Sequence, residues 1–177
     1  MLERGRTLFI AYDESNHGRF PEICVAVFSL NSKDFEKYSN PTSKKHSGAD
    51  DFSGKLITKD YSLLLLNQID KERIKENELL GRILGSLTIQ KLNFFDGSFS
   101  FLIDGEWAKS KLDYTKDFIS EINSIEKEKI SIQCGKDFDK LYPLVNFADE
   151  IAYWHYKNST PEKLSTNVHL VSLLESA

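Results

Sequence analysis

Apolar positions along the chain fall first into short runs and then into helical stripes. Thr7-Leu-Phe-Ile-Ala-Tyr12 and the run from Ile23 to Leu30 are β-branched, aromatic and aliphatic, and Asp13-Glu-Ser-Asn-His-Gly-Arg-Phe-Pro21 between them is rich in turn formers. This spacing predicts an antiparallel hairpin with a polar connection. Leu56-Ile-Thr58 predicts a brief third strand. From Asp60, a candidate cap for a segment beginning at Tyr61, the pattern is expected to turn helical, and Leu79, Leu80, Ile83, Leu84 and Leu87 lay one stripe interrupted by Gly81 and Gly85. Phe99 to Ile103 predicts a fourth strand ended by Asp104-Gly105. A helix capped by Asp113 then carries Tyr114, Phe118, Ile119, Ile122 and Ile125 on one face, and Ile130 to Gln133 predicts a fifth strand followed by Gly135. Pro143, a residue favoured at the first helical position, opens the last clear helix. Leu144, Phe147, Ala148, Ile151 and Ala152 share one face of it, Asn146, Glu150 and Lys157 the opposite one, and Asp149 falls on the border. Val168, Val171 and Leu174 resume helical spacing in the tail.

The order strand, strand, short strand, helix, strand, helix, strand, helix predicts an α/β domain: a mixed five-stranded sheet with helices packed on it. The length of 177 residues, with 40% hydrophobic and 28% charged, fits a single domain over 1–177. Residues 38–55, rich in Ser, Asn, Lys, Asp and Gly, read as a mobile loop within it. A net charge of -4, from 23 basic and 27 acidic side chains, does not advertise a nucleic-acid partner, but it excludes none. A site that gathers carboxylates lowers the total by itself, while Lys44-Lys45-His46 or Lys109-Ser-Lys111 can meet phosphates or simply be solvated. Cys24 and Cys134 lie in separate apolar runs with no second Cys or His at metal spacing, which predicts buried strand thiols in a reducing compartment. With no signal-like N-terminal segment and no long apolar stretch, the expectation is a cytoplasmic protein without a membrane partner.

Acidic residues stand where the apolar runs end. Asp13 and Glu14 follow the first, Asp104 follows the fourth, and Asp149 sits within the last helix. Taken singly each has an ordinary role: Asp13 in an Asx turn, Asp104-Gly105 as a turn dipeptide, Asp149 paired to a Lys or Arg. Taken together, strand ends that bring carboxylates to one sheet edge create repulsion that divalent cations relieve. Two-metal phosphoryl transfer needs three or four such carboxylates directed to one point. An all-oxygen donor set favours Mg²⁺ or Mn²⁺ over zinc.

The order of elements and the acids resemble the ribonuclease H-like nuclease superfamily. Tyr12-Asp-Glu-Ser15 is similar to the Asp-Glu-Ser-Gly signature opening a large family of uncharacterised prokaryotic proteins assigned to that superfamily, and Asn146-Phe-Ala-Asp-Glu-Ile-Ala-Tyr153 is similar to its late Ala-Asp helix. This resemblance implies Asp13, Glu14, Asp104 and Asp149 as metal ligands and catalytic residues on a ribonuclease H-like mixed sheet with helices on both faces. The chain also resembles type 2 ribonuclease H: Asp13-Glu14 opens its Asp-Glu-Ala-Gly-Arg-Gly motif, Leu102-Ile-Asp-Gly105 is similar to its Val-Asp-Gly strand end, and Asp139-Lys-Leu-Tyr-Pro143 to its Asp-x-x-Tyr-Pro segment. That alignment implies Asp139 as the fourth ligand and places Asp149 at a position that is Ser in the family. Ser15-Asn-His-Gly18 departs from the glycine-rich motif at which backbone approaches the ribose. Both resemblances imply a metal-dependent nuclease acting on DNA, RNA or a hybrid. The alternative is a non-catalytic module of the same fold in a defence or mobile-element system. His17 is a candidate proton donor or a loop residue, and Trp107, Tyr153, Trp154 and Tyr156 are candidates for packing or base stacking. His155 reads as a core or boundary histidine, and His46 and His169 carry no signal.

Overall fold

The computed structural model describes residues 5–15, 18–40, 60–158 and 168–174. Its centre is a mixed sheet of β1 (Arg6–Ser15), β2 (Glu22–Ser29), β3 (Asp60–Leu66), β4 (Gly97–Asp104), β5 (Ile130–Gly135) and β6 (Val168–Val171), in the order β5-β4-β1-β2-β3-β6. β1, β2 and β3 form an antiparallel meander, and β4 lies parallel to β1 with β5 parallel to β4. The C-terminal ends of β1, β4 and β5 therefore share one edge, where open α/β sheets place their ligands.

Helices cover both faces. α1 (Gln68–Arg73) and α2 (Glu76–Leu92) follow β3, α3 (Lys109–Asn123) links β4 to β5, and the short α4 (Phe138–Leu141) leads into α5 (Pro143–Asn158). On one face Ile10, Tyr12, Phe101 and Ile103 pack under Leu84 of α2 and Ile119 of α3. On the other, Ala11, Val25 and Leu102 pack under Val145, Ala148 and Ile151 of α5. Complete burial of each large apolar side chain contributes about 1.5–3 kcal/mol, and strands covered on both faces lose the polar alternation of a half-exposed strand.

Three expectations are corrected. Asp60 does not cap a helix: Asp60–Leu66 is β3, whose Tyr61 and Leu63 face α5 while Leu64 and Leu66 face the other core. A short apolar run buried on both faces has no period that separates strand from helix. α3 begins at Lys109, before Asp113, because the amides of Lys111 and Leu112 already bond the Ala108 carbonyl and Leu112 packs onto the core one turn earlier. The tail segment Val168–Val171 is a strand, not a helix. It pairs in parallel with the open edge of β3 from Tyr61↔Val168 to Leu64↔Val171, which makes the sheet six-stranded. Leu56-Ile-Thr58, His17, Lys44-Lys45-His46 and residues 41–55 of the expected loop lie outside the described residues.

Candidate metal centre

Parallel pairing of β1 with β4 runs in register to Tyr12↔Ile103, so the next residues, Asp13 and Asp104, stand side by side where that ladder ends. Strand alternation then sets their direction. Ala11 and Leu102 face α5, and Asp13 and Asp104, two residues further along each strand, face the same way. Asp149 lies on the buried side of α5 that packs on this face. It is only 7% exposed, as is Asp13.

Burial, and then the negative charges of Asp149 and Asp104, hold the Asp13 carboxyl well above its ordinary value of 3.8, against a hydrogen bond of 2.8 Å that it accepts from the Glu14 amide. Asp13, Asp104 and Asp149 are thus close enough for the latter two to oppose the ionisation of the first. Asp139, 5% exposed, enters from the turn after β5: its backbone N–H donates to Asp104 Oδ1 at 3.2 Å. Asp13, Asp104 and Asp149 thus come to one region from β1, β4 and α5, and the Asp139 backbone reaches Asp104 from α4.

Glu14 is turned elsewhere. It follows Asp13 on β1 and so projects to the opposite face, where its Oε2 accepts from the Tyr12 hydroxyl. The Tyr12 phenol and the Cys24 thiol are both pushed up, first by burial and then by charges that include Glu14. The alternation that directs Asp13 into the acid group directs its neighbour out of it. Among the described residues, no three His, Cys, Asp or Glu side chains are closed up at metal-ligating spacing. The acids around Asp13 are near enough for charge to be felt without standing at ligand distance of one point.

The turn after β4 has contacts that the sequence pattern did not single out. Gly105 takes φ +93, its N–H donates to the Gly135 carbonyl at 3.1 Å, and the indole Nε1 of Trp107 donates to the Asp104 carbonyl at 2.9 Å. The Asp-Gly dipeptide signals a turn. Nothing in the sequence signals which side chain closes it.

No family model matches the chain, and no curated protein matches it. Solved structures do. A mutant of Bst-RNase HIII superposes with a TM-score of 0.56 at 13% identity, over 88% of this chain and 54% of that one. Bst-RNase HIII in complex with Mn²⁺ superposes with a TM-score of 0.55 at 13% identity, with the same coverage. The fold is ribonuclease H-like. The chain spans about half the length of these structures, 54% of each, so the likeness carries architecture and not activity. Among the described residues no helix is long and apolar enough to cross a membrane.

Proposed function

We propose that this chain is a nuclease that hydrolyses nucleic-acid phosphodiester bonds with Mg²⁺ or Mn²⁺ by a two-metal mechanism. Asp13, Asp104 and Asp149 are its principal ligands, and Asp139 is the adjoining carboxylate. The observation that carries this reading is Asp13, a buried carboxyl on a central strand, facing two more carboxylates from β4 and α5 whose charges raise its pKa. A purely structural site gains nothing from that repulsion, whereas a bound cation converts it into attraction. The donor set suits a hard cation in its chemistry, all oxygen with no His or Cys among the four, and binding would draw the carboxylates closer than they now stand. A pair of such ions supplies an activated water and charge for the leaving oxygen. The chain's part is to hold the carboxylates on rigid elements at the sheet edge. The amide of Asp139 orients Asp104 and that of Glu14 orients Asp13. Glu14 joins the ligand set only by leaving Tyr12.

The two finer family assignments differ in the last ligand. The Asp-Glu-Ser-Gly proteins require Asp149 and type 2 ribonuclease H requires Asp139. The contribution of Asp149 to the Asp13 carboxyl favours the first. The Mn²⁺ complex of Bst-RNase HIII is consistent with the choice of cation.

The test is cleavage of single-stranded DNA, duplex DNA, RNA and RNA/DNA hybrid with each cation. Asp13→Asn and Asp104→Asn are expected to lower the rate by more than about 100-fold, the scale at which loss of one transition-state-stabilising group is felt. Asp149→Asn should cost more than Asp139→Asn. Absence of cleavage on all four substrates, together with a melting temperature that neither cation raises, overturns the nuclease reading. That result would favour a non-catalytic module of this fold, which the open spacing of the acids also suits.

A further inference from the structure

We propose that Trp107 is the positioning residue of the acid group: its indole N–H, from the opposite side of the sheet, holds the end of β4 so that the Asp104 carboxylate faces Asp13 and Asp149. This rests on the metal-site reading above and adds to it a residue outside the carboxylates. Asp104 is the last residue of its strand, and the pairing of β4 with β1 stops one residue earlier, at Ile103. Beyond that point the ladder to β1 ends, while on the other side β5 still pairs Asp104 with Gly135.

Three further contacts hold this residue beside the β5 ladder. Gly105 N–H donates to Gly135 O, Asp139 N–H donates to Asp104 Oδ1, and Trp107 Nε1–H donates to Asp104 O. The first two come from the β5 side, and Trp107 reaches this residue from its own turn. The indole is itself seated. It packs against the core beneath α2 and α3, and the Lys111 ammonium lies 6.0 Å from its centroid, held by Glu76 at 2.7 Å. Asp104 is thus gripped from both faces, with the carboxylate toward α5 and the carbonyl toward the indole. Gly105 completes the device. Its φ of +93 is one that side-chain-bearing residues rarely adopt, and a Cβ there would stand 3.4 Å from Trp107 Nε1.

A carboxylate whose main chain is held from the β5 side alone samples more orientations that do not bind metal, so loss of the indole donor should weaken cation binding without emptying the core. Trp107→Phe keeps an aromatic ring and removes the N–H. Replacement of Trp107 by 3-benzothienylalanine keeps the full shape and removes only the donor, and it serves if the Phe variant does not fold. The expected result is a Mn²⁺ dissociation constant raised about 10-fold by calorimetry, the scale on which groups supporting a metal ligand are felt, a kcat that falls more than KM rises, and faster amide hydrogen exchange at Gly105 and Asp139 than in the parent chain. A variant with parental Mn²⁺ affinity and parental exchange at both amides overturns the proposal. If the parent chain itself binds no Mn²⁺, the metal reading fails separately. The exchange rates then decide on Trp107 alone: faster exchange supports the anchoring role and unchanged exchange removes it.

Discussion

Asp13 shows how one side chain can be poor for the fold and good for a site. Its carboxyl is buried and feels the like charges of Asp149, Asp104 and, least, Glu14, so folding favours the protonated form over the ionised one. A carboxyl whose pKa is raised in the folded state contributes stability that is complete below its ordinary value of 3.8 and is lost as pH rises through the folded value. At pH 7 without metal, Asp13→Asn should therefore raise the melting temperature, because it removes a carboxyl whose ionisation burial and repulsion oppose. The same substitution should abolish most of the further rise that Mn²⁺ gives the parent chain. Metal-free and Mn²⁺ melts by scanning calorimetry check both, and an unchanged or lowered metal-free melting temperature contradicts the electrostatic account. At this scale Asp13 and Asp104 stand out because acids directly after apolar runs are conspicuous, and Asp149 because it falls on the border between the two faces of a helix. The roles of Tyr12 and Trp107 were not, since a hydrogen bond from a side chain to a neighbouring carboxylate or carbonyl leaves no period in the sequence.

Among the elements, the β1–β4 pair sets the acid group, because its register places Asp13 beside Asp104. That pairing begins at Arg6↔Gly97, where a Cβ on Gly97 would stand 2.1 Å from the Arg6 carbonyl oxygen and 2.7 Å from the Phe95 ring. The ring can shift, but the carbonyl belongs to the neighbouring strand. Gly97→Ala should cost about 3 kcal/mol by overpacking, seen as a melting temperature lowered by roughly 6–12 °C. A variant that melts with the parent chain would mean that the start of β4 is not held in this register. The elements that pattern reading recovered, β1, β2, β4, β5, α2 and α5, carry either bounded β-branched runs or a stripe repeated over several turns. β3 escaped it because a leucine run buried on both faces carries no period that separates strand from helix, and β6 because its four residues take their conformation from the edge that β3 offers.

Over the whole molecule, the sheet divides two cores, and α5 is the layer that closes the acid-bearing face. Buried within that face, the Tyr61 hydroxyl and His155 Nε2 are hydrogen-bonded at 2.9 Å, tying α5 to β3. Burial lowers the His155 pKa from 6.5 to about 4, so the imidazole is neutral in the fold. The unfolded chain takes up a proton near 6.5 that the fold refuses until about 4. The stability contributed by His155 is therefore intact above pH 6.5 and lost as pH falls toward 4, by about 3 kcal/mol in all. Urea unfolding at intervals between pH 7 and pH 4 should show a steeper loss for the parent chain than for His155→Phe. Equal slopes would mean that His155 titrates normally in the fold.

The sequence by itself determined the α/β class, the antiparallel opening, the strand-helix alternation that follows and the pair Asp13 and Asp104. All of these depend on local periodicity or on what directly follows an apolar run. Tertiary structure decided the rest. It turned a leucine-rich segment into β3, added β6, sent Glu14 to the face opposite Asp13, and brought Asp149 and Asp139 from different helices to the end of β4. The physical reason is that a strand's two faces, and the partners on its two edges, are assigned by packing against segments distant along the chain, and no window of neighbouring residues contains that information.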